Sequence, residues 1–193
     1  LESSPRLGRI YRVKHRANPL GKRPQMLGQS ASELVPFLAH ENGWWRDTAQ
    51  QLIIDSGDQS AVTDLNRLAA IWARPLGQLH ALWTLGGLGA INLKAIAGAL
   101  TSGDPHVLEA AIRLADLLPA QDAVAIMAQL KSLSTRPELV VQRELAASLG
   151  RVSSSEALEL LKVVLLKNIN APYFREAAIN GLHGRETDFQ AVL

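Results

Sequence analysis

An all-α chain wound as an α-solenoid, about five helix pairs behind an extended N-terminal arm, is the fold class this sequence predicts. Three observations carry that reading. From Ser30 onward nearly every segment has helical apolar spacing, the helix starts are marked by capping residues and prolines, and an apolar pair recurs at a regular interval. Ala49, Ala81, Ala111, Leu145 and Ala178 stand 32, 30, 34 and 33 residues apart, and four residues after each come Ile53, Leu85, Ala115, Leu149 and Leu182. A small side chain one turn before a larger one admits a neighbouring backbone and fills the space beyond it, as two closely packed antiparallel helices require. A period near 33 built of helix pairs means an α-solenoid.

The elements follow in order. Before residue 28, "GRIYRV" is the only clean strand-like alternation, and "KHRANPLGKRP" after it is turn and linker chemistry. One strand cannot stand alone, so it pairs with a sheet outside these residues or forms a loosely held arm. "SASE", Ser30 to Glu33, fits a capping box, and Asp104-Pro105 fits an N-cap with proline at the first helical position. Pro75, Pro137 and Pro172 are read as comparable entries. Between these marks the apolar spacing predicts helices near residues 31–39, 43–56, 59–72, 75–88, 92–101, 105–118, 121–133, 137–149, 154–168, 172–183 and 186–193. Helix 154–168 is apolar nearly all round and is expected to be sandwiched between repeats. Residues 1–28 are thus assigned to the end of a preceding domain with its linker, and 29–193 to the repeat domain.

Composition excludes several chemistries. With no cysteine among the 193 residues there is no disulfide, thiolate metal site, thiol nucleophile or covalent c-type haem attachment. No run of 18 apolar residues occurs; the richest stretch, "EALELLKVVLLKNI", holds Glu159 and Lys162 and reads as a buried helix. The formal net charge of +2 divides into +6 before residue 24 and −4 after it, so a basic head precedes a mildly acidic body. A whole-domain basic footprint for nucleic acid is absent. The head has one aromatic, Tyr11, and is read as a solvated linker. The start, "LESSPRLGRIYRV", has neither an initiator methionine nor a signal-peptide core, which reads as part of a longer polypeptide.

The tetratricopeptide and ankyrin patterns do not recur. What recurs is a turn, a polar or proline-containing entry and an amphipathic helix with alanine in its second turn: "ENGWWRDTAQQL", "ARPLGQLHALWTL", "GDPHVLEAAIRLA" and "APYFREAAINGL". These resemble HEAT repeats of the short type, right-handed and armadillo-like. "GRIYRV" leading into "SASELVPFLAHENGWWRDTAQQLI" and "RPLGQLHALWTLGGLGAI" is also similar to the middle of bacterial putative membrane-bound dehydrogenases, over about Gly8 to Ile91. In that family a sorbosone-dehydrogenase-like β-propeller precedes HEAT repeats and a c-type cytochrome often follows. The resemblance implies that Arg9 to Val13 is the last propeller strand and that the parent is a periplasmic or secreted sugar-type dehydrogenase. It places haem c or a quinone in the parent and no cofactor in these residues. The partners it implies are the propeller and cytochrome domains, with protein contacts on the concave face of the solenoid.

Candidate functional residues are few. Trp44 and Trp45 point about 100° apart on one helix. Trp45 is expected to join Ala49, Leu52 and Ile53 on the core face while Trp44 covers the seam toward the N-terminal arm; the competing reading is a stacking platform. Arg46 and Asp47 are placed in that helix's first turn, and by resemblance they tie adjacent repeats together. Later repeats put Gln78, Leu108, Gln142 and Arg175 at the position of Arg46, so only Arg175 keeps the guanidinium. His15, His40, His80, His106 and His183 show no metal-ligand spacing, and His80 beside Trp83 suits an inter-helix hydrogen bond. "LGGLGAI" follows a helix and reads as a C-cap, not a phosphate loop, and Ser153 to Ser155 read as a helix cap. Glu156 and Glu159 lie on a solvent-facing edge. No catalytic, cofactor or metal residue is assigned. The function expected is a non-catalytic scaffold; the alternatives are a HEAT-like DNA-binding protein or DNA glycosylase, which the acidic body opposes, and a stand-alone protein-binding adaptor.

Overall fold

The computed structural model describes residues 13, 16–17 and 25–191. The predicted strand over 8–13 and the basic head therefore fall, apart from Val13, Arg16 and Ala17, outside the described residues. Among the described residues the chain is all-helical, with twelve α-helices, two short 3-10 helices and no strand. None of these helices is long and apolar enough to cross a membrane.

Helix α1 (Ala31–Leu34) opens on the predicted capping box: the Ser30 hydroxyl accepts the Glu33 N–H, and the Glu33 carboxylate accepts the Ser30 N–H at 2.8 Å. The α-helix predicted over 31–39 tightens into a 3-10 helix at Val35–Ala39 instead. Pro36 has no N–H to give and its ring would strike the Ser32 carbonyl in an α-turn. Helix α2 (Gly43–Ser56) is capped by the Asn42 side chain and stopped by Gly57 at φ 62. Helix α3 (Val62–Ala69) ends before the predicted residue 72, and α4 (Pro75–Gly87) carries Pro75 at its first position. At the far end of α4, Ala90 N–H reaches Leu85 O, Gly89 N–H reaches Gly86 O, and Gly89 takes φ 64. That is the Schellman closure expected of "LGGLGAI".

Helix α6 (Pro105–Ala115) begins on the predicted Asp104 cap, and α5 (Leu93–Ala99) on an Asn92 cap that the reading of 92–101 as helix did not single out. The helix predicted over 121–133 is broken into α7 (Ala120–Ala125) and α8 (Met127–Leu133) at Ile126, whose φ of −93 and ψ of 3 leave the helical well while its side chain is buried. Helices α9 (Leu139–Leu149), α10 (Ser155–Lys167), α11 (Phe174–Gly181) and α12 (Glu186–Gln190) complete the chain. Pro137 and Pro172 stand before the capping residues of α9 and α11, so only Pro75 and Pro105 open helices at the first position. Ser154 occupies the N-cap of α10 but its hydroxyl makes no capping bond.

Packing follows the periodic pair. All ten anchor residues, from Ala49 and Ile53 to Ala178 and Leu182, are buried. The helices that carry them pack in series, α2 on α4, α4 on α6, α6 on α9 and α9 on α11. The alternate helices lie alongside: α3 against α4, α5 against α6, α8 against α9, and α10 against α9 and α11. One hydrophobic core runs from Met26 to Phe189. A fully buried leucine such as Leu145 contributes about 2 kcal/mol to it. The closest approach is between α9 and α11, where a Cβ placed on Gly150 would stand 2.5 Å from the Gly181 carbonyl carbon. Glycine at both positions lets the two backbones touch. Helix α10 is not sandwiched: Leu158, Leu161 and Val164 are buried, but Val163 and Leu166 are 57% and 58% exposed. It lies on an outer layer and buries one stripe only.

Candidate functional site

The start of α2 gathers most of the residues expected to matter. Trp45 stacks flat on His40, centroids 4.2 Å apart and planes within 6°, and tilts against Phe37 at 5.5 Å. It packs on the core while remaining partly accessible. Trp44 is 58% exposed. The inward expectation thus holds for Trp45 with Ala49 and Ile53, but not for Leu52, which is 38% exposed. Trp44, Thr48 and Leu52 share one edge of α2, four residues apart, and with Met26, Leu27 and Leu34 they wall an apolar groove. Trp44 faces that seam without closing it.

Arg46 points the other way. Its Nε donates to His80 Nε2 at 3.1 Å, across to α4, and its Nη1 donates to the His40 and Glu41 carbonyls at 2.7 and 2.9 Å. A guanidinium can only donate, so His80 Nε2 is the bare acceptor and Nδ1 carries the proton, which it gives to Gln50 Oε1 at 2.7 Å. His80 is therefore neutral. Burial first, and the Arg46 charge second, push its pKa below the ordinary value; Asp47 opposes them. Arg46 and His80 do tie the first two pairs together as expected. Asp47 does not: it lies beyond the first turn, exposed and without a side-chain hydrogen bond among the described residues, and acts on His80 only through its charge.

The positions equivalent to Arg46 have a shared role that differs from the one expected of them. Gln78 Nε2 donates to Ala69 O at 2.8 Å, and Gln142 Nε2 donates to Leu133 O at 2.8 Å and Arg136 O at 2.9 Å. Like the Arg46 bonds to His40 and Glu41, these cap the carbonyl end of the preceding helix, within one pair. Leu108 replaces the polar group with a buried side chain. Arg175 is exposed and makes no hydrogen bond or ion pair among the described residues, so it ties nothing.

The ties between later pairs come from residues not singled out in the sequence. Arg113 grips Glu144 with two bonds, Nε to Oε1 at 2.9 Å and Nη2 to Oε2 at 2.6 Å, joining α6 to α9. Arg151 pairs with Asp116, and Arg185 donates to the Gly150 carbonyl at 2.9 Å and to that of Val152. Arg151 and Arg185 are 34 apart, one period, a spacing that apolar alignment does not register.

A second concavity lies where α6 ends. Ile112, Leu118, Ile126 and Leu130 wall a pocket of about 160 Å³, and Asp116, Ser148, Arg151 and Ser153 line it as well. Burial raises the Asp116 pKa, against the opposing hydrogen bond and charge of Arg151. Ser148 Oγ is buried with no hydrogen-bond partner; it faces the Asp116 carboxylate outside hydrogen-bond geometry, and its influence there is the smallest of those acting.

Remaining candidates are dispersed. His40 Nδ1 accepts the Asn42 N–H, His106 lies 3.7 Å from Glu109, His183 is exposed, and His15 falls outside the described residues. Glu156 and Glu159 are exposed. No three His, Asp or Glu side chains among the described residues gather to hold a metal ion. Comparison with protein-family models, curated proteins and solved structures found no match to this chain.

Proposed function

We propose that the chain is a right-handed α-solenoid of five HEAT-like helix pairs serving as a non-catalytic scaffold. In this reading it is the repeat section of a larger periplasmic or secreted protein of dehydrogenase type, between a β-propeller and a c-type cytochrome. The observation that carries it is the serial packing of α2, α4, α6, α9 and α11, with side-chain bonds reaching one repeat onward at Arg46–His80, Arg113–Glu144 and Arg151–Asp116. A stack in which neighbouring pairs pack face to face, with side-chain ties at the first junction and at that of α6 with α9, acts as a spacer of fixed length. The half-open groove beside Trp44 supports a neighbour at the first repeat. Haem c would belong to a flanking domain, since this sequence has no cysteine for thioether attachment, and a quinone is placed there by the resemblance alone.

Two measurements test this. A compact domain of 193 residues has a radius of gyration of about 16 Å and is about 41 Å across, so five layers spaced by 8–10 Å, roughly 45 Å in all, differ from it in anisotropy more than in radius. Small-angle scattering should give an asymmetric pair-distance distribution with an extended tail; a symmetric, bell-shaped one refutes the solenoid. Reading the coding sequence outward tests the placement: a propeller-type repeat upstream or a C-x-x-C-H downstream is expected, and the absence of both refutes it.

A further inference from the structure

The pocket at the end of α6 is two-sided in character. Ile112, Leu118, Ile126 and Leu130 make it apolar, while Asp116, Ser148 and Arg151 form its polar side. Two features point to an occupant. Ser148 is 4% exposed and its hydroxyl, in the lining, faces the Asp116 carboxylate without a well-formed hydrogen bond to it or to any other described residue, an arrangement that folding normally avoids. Beside it the Asp116 carboxylate, with its side chain 16% exposed, has one ion-pair partner among the described residues, an arginine whose own side chain is 51% exposed. The pocket's size sets the scale, because a cavity of about 150 Å³ admits a six-membered carbon ring.

The head group follows from what surrounds it. A carboxylate would meet Asp116, and an ammonium would meet Arg151, so either charge is opposed at close range. A neutral hydroxyl suits both sides, since it donates to an Asp116 oxygen and accepts from Ser148 Oγ. We propose that this pocket binds a small neutral amphiphile of one ring, a phenol or cyclic alcohol, with its hydroxyl between Asp116 and Ser148 and its ring against Ile112, Ile126 and Leu130. The proposal is independent of the scaffold reading.

The test uses the whole chain with phenol and toluene as probes, followed by amide chemical shifts. Phenol should bind saturably at one site, with shifts confined to the ends of α6 and α9 and to α7 and α8. It should bind at least about tenfold more tightly than toluene, the worth of one to two hydrogen bonds. Ser148→Ala should lower that preference by about two- to fivefold, the bond to Asp116 remaining, while leaving toluene affinity unchanged. Should that variant fail to fold, the phenol-to-toluene ratio on the unmodified chain still decides. Absence of saturable phenol binding, equal affinity for the two probes, or an undiminished preference in a folded Ser148→Ala overturns the proposal.

Discussion

Gly181→Ala is the substitution whose cost can be worked most directly from the packing. Alanine ordinarily stabilises a helix by about 1 kcal/mol relative to glycine. At Gly181 the added methyl would meet backbone: it would stand 2.8 Å from the Ala147 carbonyl carbon and 3.1 Å from Ala146 O, and closer still to Ala147 O. These atoms belong to α9 and cannot rotate aside as a side-chain tip can. Helices α9 and α11 must separate, loosening the packing of Leu145, Leu149 and Ala178 at the same time. Overpacking of this kind costs about 1–3 kcal/mol, and contact with main chain puts the net effect near 3. For a domain of this length that lowers Tm by roughly 6–12 °C. Gly98 is the control: it lies in α5, exposed, with nothing within 4 Å of the methyl position, so Gly98→Ala should stabilise by about 0.5–1 kcal/mol. Thermal unfolding followed by circular dichroism at 222 nm measures both. Equal, stabilising shifts at the two sites would refute the backbone contact between α9 and α11.

Trp45→Ala should destabilise by about 3 kcal/mol and Trp44→Ala by less than about 1, because only Trp45 packs on the core; urea titrations that gave equal losses would contradict the assignment of faces. Neutral His80 has a folded pKa below its ordinary 6.5, so the unfolded chain takes up the proton first: stability should be full above that pH, fall as pH drops through 6.5 and level off below the folded pKa. His80→Gln should flatten the dependence in that window, and an unchanged slope would exclude the Arg46–His80–Gln50 tie. Glu144 has a side chain only 9% exposed and Arg113 one 52% exposed, so Arg113→Met, which strands the carboxylate, should cost about 2 kcal/mol and Glu144→Gln about 1. A chemical denaturation series that found the reverse order would assign the burial to the wrong partner.

Much of the fold was legible because its causes are local or periodic. The anchor pairs recur with the helix stack itself, and Ser30 and Asp104 mark helix starts by satisfying N–H groups within three residues. The break at Ile126 was not legible, as neither proline nor glycine stands there and the side chain is an ordinary core residue. The tightening at Pro36 was not read either, although the clash of the proline ring with the Ser32 carbonyl is a signal that lies in the sequence. The exposure of Val163, Leu166 and Leu52 depends on which helix lies across from them, which no single helix records. The same limit applies to the sites. Arg46 and His80 could be paired by period, but Asp116 and Ser148 are 32 residues apart in separate helices, and the apolar wall of their pocket reads as core.

The chemistry of the ties also differs along the stack. The first junction hangs on a neutral imidazole that must accept from Arg46, while the junction of α6 with α9 hangs on ion pairs with partly exposed arginines. Acid therefore weakens both seams, the first by charging the imidazole and the second by neutralising its carboxylates, whereas added salt screens only the second. Ions alone loosen the molecule in its middle and spare its first junction, so its flexibility has an address that ionic strength selects.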